Sequence, residues 1–269
     1  MIKLTYKIFL AIITILLSSC TDFIVPIDKQ EEWLTNKSDN IILHYRSPDY
    51  SSSISPTEEI SKQIVSDQNY YFSTIQDSIQ RQFNNRVLIY LYNKDEAEEF
   101  IGTNSGGHSI PKLHCFYYTY LPDKPDYTDQ YGIENPYLGA HELVHVITHR
   151  CLGYPGTKMM SEGYAVWLDG SYGGNDIKDI MIHYRDNEPE KILSPTQLLN
   201  ETTEIEAIYY PNAGTFIKFL VSRYNIENIN TLFTIRENDF ISRFYQHTAT
   251  DWQDMSDKYF NYVDNLCKN

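Results

Sequence analysis

Two histidines four residues apart, with a glutamate beside the first, are the chemically loaded residues of this chain: His141-Glu142-Leu143-Val144-His145. A spacing of four puts both imidazoles on one face of a helix, where they can reach a single metal ion. Glu142 then stands where it can deprotonate water at that metal. Catalytic zinc takes three protein ligands and keeps one position for solvent. His149 does not qualify as the third, because two helical turns, about 12 Å, separate it from His141. The ligand must come from another element, and Glu162 in Ser161-Glu162-Gly163-Tyr164-Ala165 is the candidate. The pattern predicts one Zn2+ held by His141, His145 and Glu162, with Glu142 as general base. The chain has no Cys-x-x-Cys pair, so its cysteines are poor zinc ligands.

These residues need two helices to position them. Asn135 suits the cap of the first and Pro136 its first helical position. Gly153 suits its end, and Pro155 prevents continuation. Leu143, Val144 and Ile147 bury one side. The helix carrying Glu162 is expected to end near Asp169-Gly170. Upstream, Asn40–Tyr45 reads as a short strand, Thr57–Phe83 as a long helix started by Thr57-Glu58-Glu59, and Arg86–Tyr92 as a strong strand. Asp95–Ile101 reads as a short acidic helix stopped by Gly102. After Gly106-Gly107, a third extended run covers Ile110–Leu121. From about Asn175 to Asn269 the pattern is mostly helical, with Tyr210–Tyr224 a well-formed amphipathic piece. The predicted class is α+β: a small N-terminal mixed β-sheet with helices, the HExxH helix, and a mostly helical C-terminal half. We expect one domain over 39–269, with an α/β part over 39–138 and a helical part over 139–269.

The ends and the composition bound the setting. Lys3 and Lys7 precede a short apolar run, Ile8–Leu17, and then Leu17-Ser18-Ser19-Cys20. That is the form of a signal peptide over 1–19. Its ending resembles a bacterial lipobox, which implies cleavage before Cys20, lipidation of its thiol and tethering to a membrane without spanning it. Residues 20–38 read as a polar tether, and the expected location is the bacterial cell envelope, periplasmic or surface-exposed. Beyond Cys20 there remain Cys115, Cys151 and Cys267, an odd number that permits at most one internal disulfide. Cys115 and Cys151 either pair or are buried thiols, and buried thiols are favoured. A formal charge of −14 over 269 residues argues against a nucleic-acid partner.

HExxH with a downstream glutamate resembles the gluzincins, the zinc peptidases that include thermolysin and aminopeptidase N. Ser161-Glu162-Gly163-Tyr164-Ala165 is similar to the aminopeptidase run Asn-Glu-Gly-Phe-Ala, in which the glutamate binds zinc. The order of elements over roughly 38–225 looks like the peptidase MA-like families, and the resemblance implies a thermolysin-like zincin fold. The metzincin pattern is absent: it needs glycine where Thr148 stands and histidine where Cys151 stands. Two departures from the gluzincin pattern stand out. Val166 occupies the place of the aspartate that orients a zinc histidine in thermolysin-like enzymes, leaving Asp169 as a loose substitute. Gly106-Gly107-His108 lies where aminopeptidases carry Gly-x-Met-Glu-Asn, so no carboxylate for a free amine is evident.

The resemblance implies metal-assisted amide hydrolysis, with a tyrosine as a second donor to the oxyanion. Tyr210, in Tyr209-Tyr210-Pro211-Asn212-Ala213-Gly214, fits the aminopeptidase spacing, with Tyr209 as the alternate. The run after Gly107 is expected to be an edge strand to which an extended peptide could add. Phe116, Tyr118 and Tyr120 are candidates to shape side-chain pockets, and His108 and His114 are candidate hydrogen-bond donors to substrate. The expected activity is a lipid-anchored zinc metallopeptidase acting on internal bonds of a peptide or protein. An aminopeptidase and a non-catalytic envelope binding protein that keeps the fold are the alternatives.

Overall fold

Strand β1 (Trp33–Lys37) turns back through Ser38-Asp39-Asn40 into β2 (Ile41–Arg46), the Ser38 N–H donating to the Ile41 carbonyl at 2.9 Å. The structure is a computed structural model that describes residues 33–47, 55–94, 96–97, 106–123 and 128–267. The signal peptide, Cys20 and the expected tether up to residue 32 lie outside the described residues, as does most of the expected helix Asp95–Ile101. Residues 33–37, read as tether, are instead the first strand. Leu34–Asn269 form one unit; the other, Met1–Trp33, is described only at Trp33.

The sheet alternates as a half-buried sheet must. In β2, Ile41, Leu43 and Tyr45 are buried, and in β3 (Val87–Tyr92) so are Val87, Ile89 and Leu91. Helix α1 (Glu58–Ile79) crosses between them, which allows β2 and β3 to run parallel. Thr57 caps α1 by accepting from the Ile60 N–H at 3.2 Å. The helix ends at Gln80, in the left-handed region with φ 52°, three residues short of the expected end at Phe83. The Gln76 side chain then takes the Phe83 N–H at 2.6 Å and folds that ring onto Phe72.

The expected run Ile110–Leu121 is not one strand. β4 (Gly107–Ile110) ends at Pro111, which opens a single 3-10 turn over Pro111–Leu113. His114, at φ 54°, reverses the chain into β5 (Cys115–Thr119). β4 pairs antiparallel with β5, and β5 pairs parallel with β3. The order β1-β2-β3-β5-β4 leaves β4 at one edge.

Helix α2 (His141–Leu152) starts five residues later than Pro136. Asn135 adopts φ 50° and cannot begin a helix, and no local side chain caps the first turn. The cap comes from another helix. Asp169, last residue of α3 (Lys158–Asp169), accepts the Ala140 N–H at 2.5 Å. Gly139 admits that approach, since a Cβ there would sit 2.5 Å from Asp169 Oδ1.

A two-stranded hairpin, β6 (Ser171–Tyr172) and β7 (Asn175–Asp176), turns at Gly173-Gly174, both at positive φ as a tight hairpin requires. The remainder is helical: α4 (Ile177–Asn187), α5 (Pro195–Leu199), α6 (Glu206–Arg223), α7 (Ile226–Leu232), α8 (Glu237–Thr248) and α9 (Trp252–Asp264). The protein is α+β, with a small N-terminal mixed sheet and a mostly helical remainder. None of the described helices is long and apolar enough to cross a membrane.

The amphipathic piece at Tyr210–Tyr224 is a longer helix buried on most sides. Tyr209, Ala213, Phe216, Ile217, Phe219 and Leu220 of α6 are all at 0 % exposure. α6 crosses α3 closely because each presents a glycine. A Cβ on Gly163 would meet Ile217 Cγ1 at 2.5 Å, and one on Gly214 would meet Val166 Cγ1 at 2.5 Å. Pro211 lies inside α6 and cannot donate to the Ala207 carbonyl. The Tyr184 hydroxyl donates to that carbonyl at 2.8 Å instead.

Candidate metal centre

α2 and α3 lie against each other with three donors facing inward. His141 Nε2 and His145 Nε2 are 3.2 Å apart, and each is 3.4 Å from Glu162 Oε2. Those atoms form a nearly equilateral triangle. Imidazole nitrogens and carboxylate oxygens bind a four-coordinate first-row ion at about 2.0–2.2 Å, which at tetrahedral angles separates neighbouring donors by about 3.3 Å. The observed sides match that length. His141, His145 and Glu162 could therefore hold one metal ion. His149 continues the row one turn beyond His145 and stays outside the triangle.

Charge around the triangle favours a cation. Burial lowers the affinity of His141 for a proton, but contact with Glu162 and the charges of Glu142 and Asp169 outweigh it and push the pKa up to about 9. Burial alone would raise the pKa of Glu162. The His141 and His145 imidazoles overcome that and hold its carboxyl well below the usual range. Without metal, the proton on His141 occupies the electrostatic role of the ion. Metal binding must expel it.

The other side of each imidazole is also organised. Ser161 Oγ lies 3.5 Å from His145 Nδ1 and 3.4 Å from His149 Nε2. Burial and then the neighbouring His145 lower the pKa of His149 to about 4, so its ring is neutral at ordinary pH and can accept. With a metal on His145 Nε2, its Nδ1–H would donate to Ser161 Oγ, leaving that hydroxyl to donate to His149. His141 is held through its backbone. The Asp169 carboxylate accepts from the N–H groups of Ala140 and His141 and, at 2.7 Å, from the Ser171 hydroxyl. Asp169 thus ties the end of α3 to the first ligand of α2. Val166 points away into the α3–α6 contact, on Gly214, where a carboxylate would be buried in apolar surroundings.

Glu142, half-buried in the first turn of α2, lies against the edge strand. A Cβ on Gly107 of β4 would come within 2.7 Å of Glu142 Cγ, so glycine is what lets the strand pass. Tyr210, half-buried on α6, stacks on His141 with ring centroids 6.2 Å apart, and its hydroxyl is 3.5 Å from Glu206 Oε1. Burial, then the charges of Glu162 and Glu206, push the Tyr210 phenol well above its ordinary range, so it remains a hydrogen-bond donor.

Other expected residues are not brought to the triangle. Tyr209 is fully buried and donates to the Leu198 carbonyl at 2.9 Å, so its hydroxyl is committed to the core. His114 packs edge-on against Phe83 and feels the charge of Arg150, at the far end of α2 from His141. His108 is exposed on β4 and pairs in register with Tyr117. Alternation along the strand turns it to the face opposite Gly107 and Glu142. Phe116 and Tyr120 are buried, leaving Tyr118, half-buried beside Gly107, as the aromatic near Glu142. Cys115, Cys151 and Cys267 are free thiols, and burial pushes that of Cys115 up to about 11.

Ser161 and Lys158 were not anticipated. Ser161 directly precedes Glu162, but its relation to His145 and His149 exists only across the packed helix pair. Lys158 precedes Glu162 by four residues, a spacing that does place both on one helical face. No known family model matches this chain, and no curated protein matches it.

Proposed function

We propose that this protein is a zinc-dependent peptidase of the gluzincin type, cutting internal peptide bonds outside the cytoplasm while tethered through a lipidated Cys20. One observation carries the reading: three donors at mutual distances of 3.2, 3.4 and 3.4 Å, with the Glu142 carboxylate on the residue next to His141. Two imidazoles and one carboxylate are the ligand chemistry of hydrolytic zinc sites. A bound zinc ion supplies Lewis acidity toward a peptide carbonyl and toward water. Glu142 takes the proton from the attacking water and delivers it to the leaving amine. The Tyr210 hydroxyl donates to the oxyanion that forms as the carbonyl becomes tetrahedral. Ser161 and Asp169 keep the two histidines aimed. An extended substrate pairs with β4, the last of the described strands, which passes Glu142 at Gly107.

Among the described residues β4 is the last strand of the sheet, which favours an endopeptidase, since a strand-like substrate added there can run past the site in both directions. The aminopeptidase alternative needs a carboxylate for the substrate amine, and Gly106-Gly107-His108 contributes none. The binding-protein alternative leaves Glu142 without a role. The test is metal analysis of the purified protein together with a chelator-reversible assay on blocked and free peptides. Glu142→Gln should retain the metal and lose at least about a hundredfold in kcat. A parent protein that loads zinc and cleaves neither kind of peptide overturns the reading in favour of a binding protein.

A further inference from the structure

We infer that Lys158 forms a subsite for a carboxylate of the bound peptide, so that the protein prefers an acidic group within one or two residues of the bond it cuts. This rests on the peptidase reading and names its substrate class.

Lys158 is the first residue of α3, where the helix dipole disfavours a cation and where no acidic residue shares the first turn. The position at the helix terminus therefore does not account for the lysine. Thr157 already caps the helix, accepting from the Met160 N–H at 3.2 Å. Glu201 Oε1 takes the Lys158 backbone N–H at 3.3 Å rather than its ammonium. Among the described residues the ammonium makes no ion pair. Its contacts are the faces of two tyrosines, with Nζ 5.0 Å from the Tyr209 ring centroid and 5.4 Å from that of Tyr210.

Those contacts set the charge beside a ring that itself lies on the metal centre. Tyr209 is locked in the core by its bond to Leu198, so one wall is rigid. Tyr210 is stacked on the ligand His141. Lys158 also lies on the same face of α3 as Glu162, one turn before it, about 6 Å along the axis. The ammonium of a half-buried lysine with aromatic contacts retains capacity for an anion. An extended peptide advances about 3.3 Å per residue, so a carboxylate one or two residues from the scissile carbonyl falls within reach. At a formal −14, the molecule as a whole repels acidic peptides, which makes a local cation beside the centre a selective feature. The carboxylate has two sources, an Asp or Glu side chain and the peptide C-terminus.

The experiment uses peptide pairs differing only in Glu against Gln on either side of the cleaved bond, and a second series differing in C-terminal acid against amide. Cleavage by the parent, Lys158→Met and Lys158→Arg is compared, with zinc content and melting temperature as controls on folding. Binding of the same pairs to zinc-loaded Glu142→Gln, with and without Lys158→Met, is followed by calorimetry. The parent should favour the acidic member by about tenfold, mainly through KM. Lys158→Met should lose that preference and Lys158→Arg should keep it. The series that shows the effect identifies the source of the carboxylate. A parent without preference, or a preference surviving in folded Lys158→Met, overturns the inference. If no peptide is cleaved at all, the peptidase reading fails, and the calorimetric comparison still decides whether Lys158 selects acidic peptides.

Discussion

Tyr210 is the residue whose role most separates catalysis from metal storage. Its ring stacks on His141, and its phenol keeps its proton because burial and nearby carboxylates oppose ionisation. A donor used only as the oxyanion forms affects kcat and leaves ground-state binding nearly unchanged. Tyr210→Phe keeps the ring and removes the donor. It should lower kcat by about 10²–10³ with KM little altered and zinc content unchanged, measured by steady-state kinetics on any cleaved peptide. Tyr209→Phe removes a buried hydrogen bond to Leu198 instead, so it should cost stability and spare kcat. If the two variants reverse these effects, the donor has been misassigned.

At the scale of elements, the site depends on α2 and α3 being joined at both the triangle and the Asp169 cap. Asp169 replaces the missing local cap of α2 and carries a carboxylate buried among its N–H donors. Removing an N-cap side chain costs about 0.5–2 kcal/mol. Asp169→Ala should therefore lower the melting temperature of the metal-free protein. It should also weaken metal binding by about 10–100-fold, because the backbone that carries His141 is released. Competition with a chromophoric chelator reads the second effect. Asp169→Ala with full metal affinity would show that α2 is held by its packing alone. The α3–α6 crossing explains why this duty cannot fall to residue 166. Gly163 and Gly214 bring the helices so close that position 166 faces apolar contact rather than an imidazole.

For the whole molecule, the proton and the metal compete for one place. The pKa of His141 in the folded metal-free protein is raised from 6.5 to about 9. A raised folded pKa contributes stability that is fully present below the unfolded value and is lost as pH rises through the folded value. The His141 contribution should thus fade between pH 6.5 and about 9 in the metal-free protein. On the proposed reading, zinc should bind more tightly across the same interval as the proton leaves. Ligand at a hundredfold over Kd adds about 2.7 kcal/mol to stability. Thermal melts with zinc and with chelator should show a gap that widens from pH 6.5 to about 9. A gap that narrows with rising pH would place the metal elsewhere.

The amino-acid order by itself brought out the candidate ligands His141, His145 and Glu162, which the structure gathers into one triangle, and Glu142 as the proposed base beside them. Spacing of four on a helix is a local property, and Gly153, Thr57 and Gly170 punctuate their helices where local rules put them. Alternation likewise revealed β2 and β3. Tertiary structure decided what depends on neighbours distant in the chain. Asp169, rather than Asn135, starts α2, because a buried carboxylate meets the free N–H groups of that helix. Ile110–Leu121 became a hairpin because Pro111 and His114 turn the chain and β5 finds β3. Tyr210 rather than Tyr209 faces the centre because α6 is buried on most sides, and only its packing on α3 chooses which ring turns inward. Periodicity reports which residues share a face; packing between helices far apart in the chain decides what that face meets.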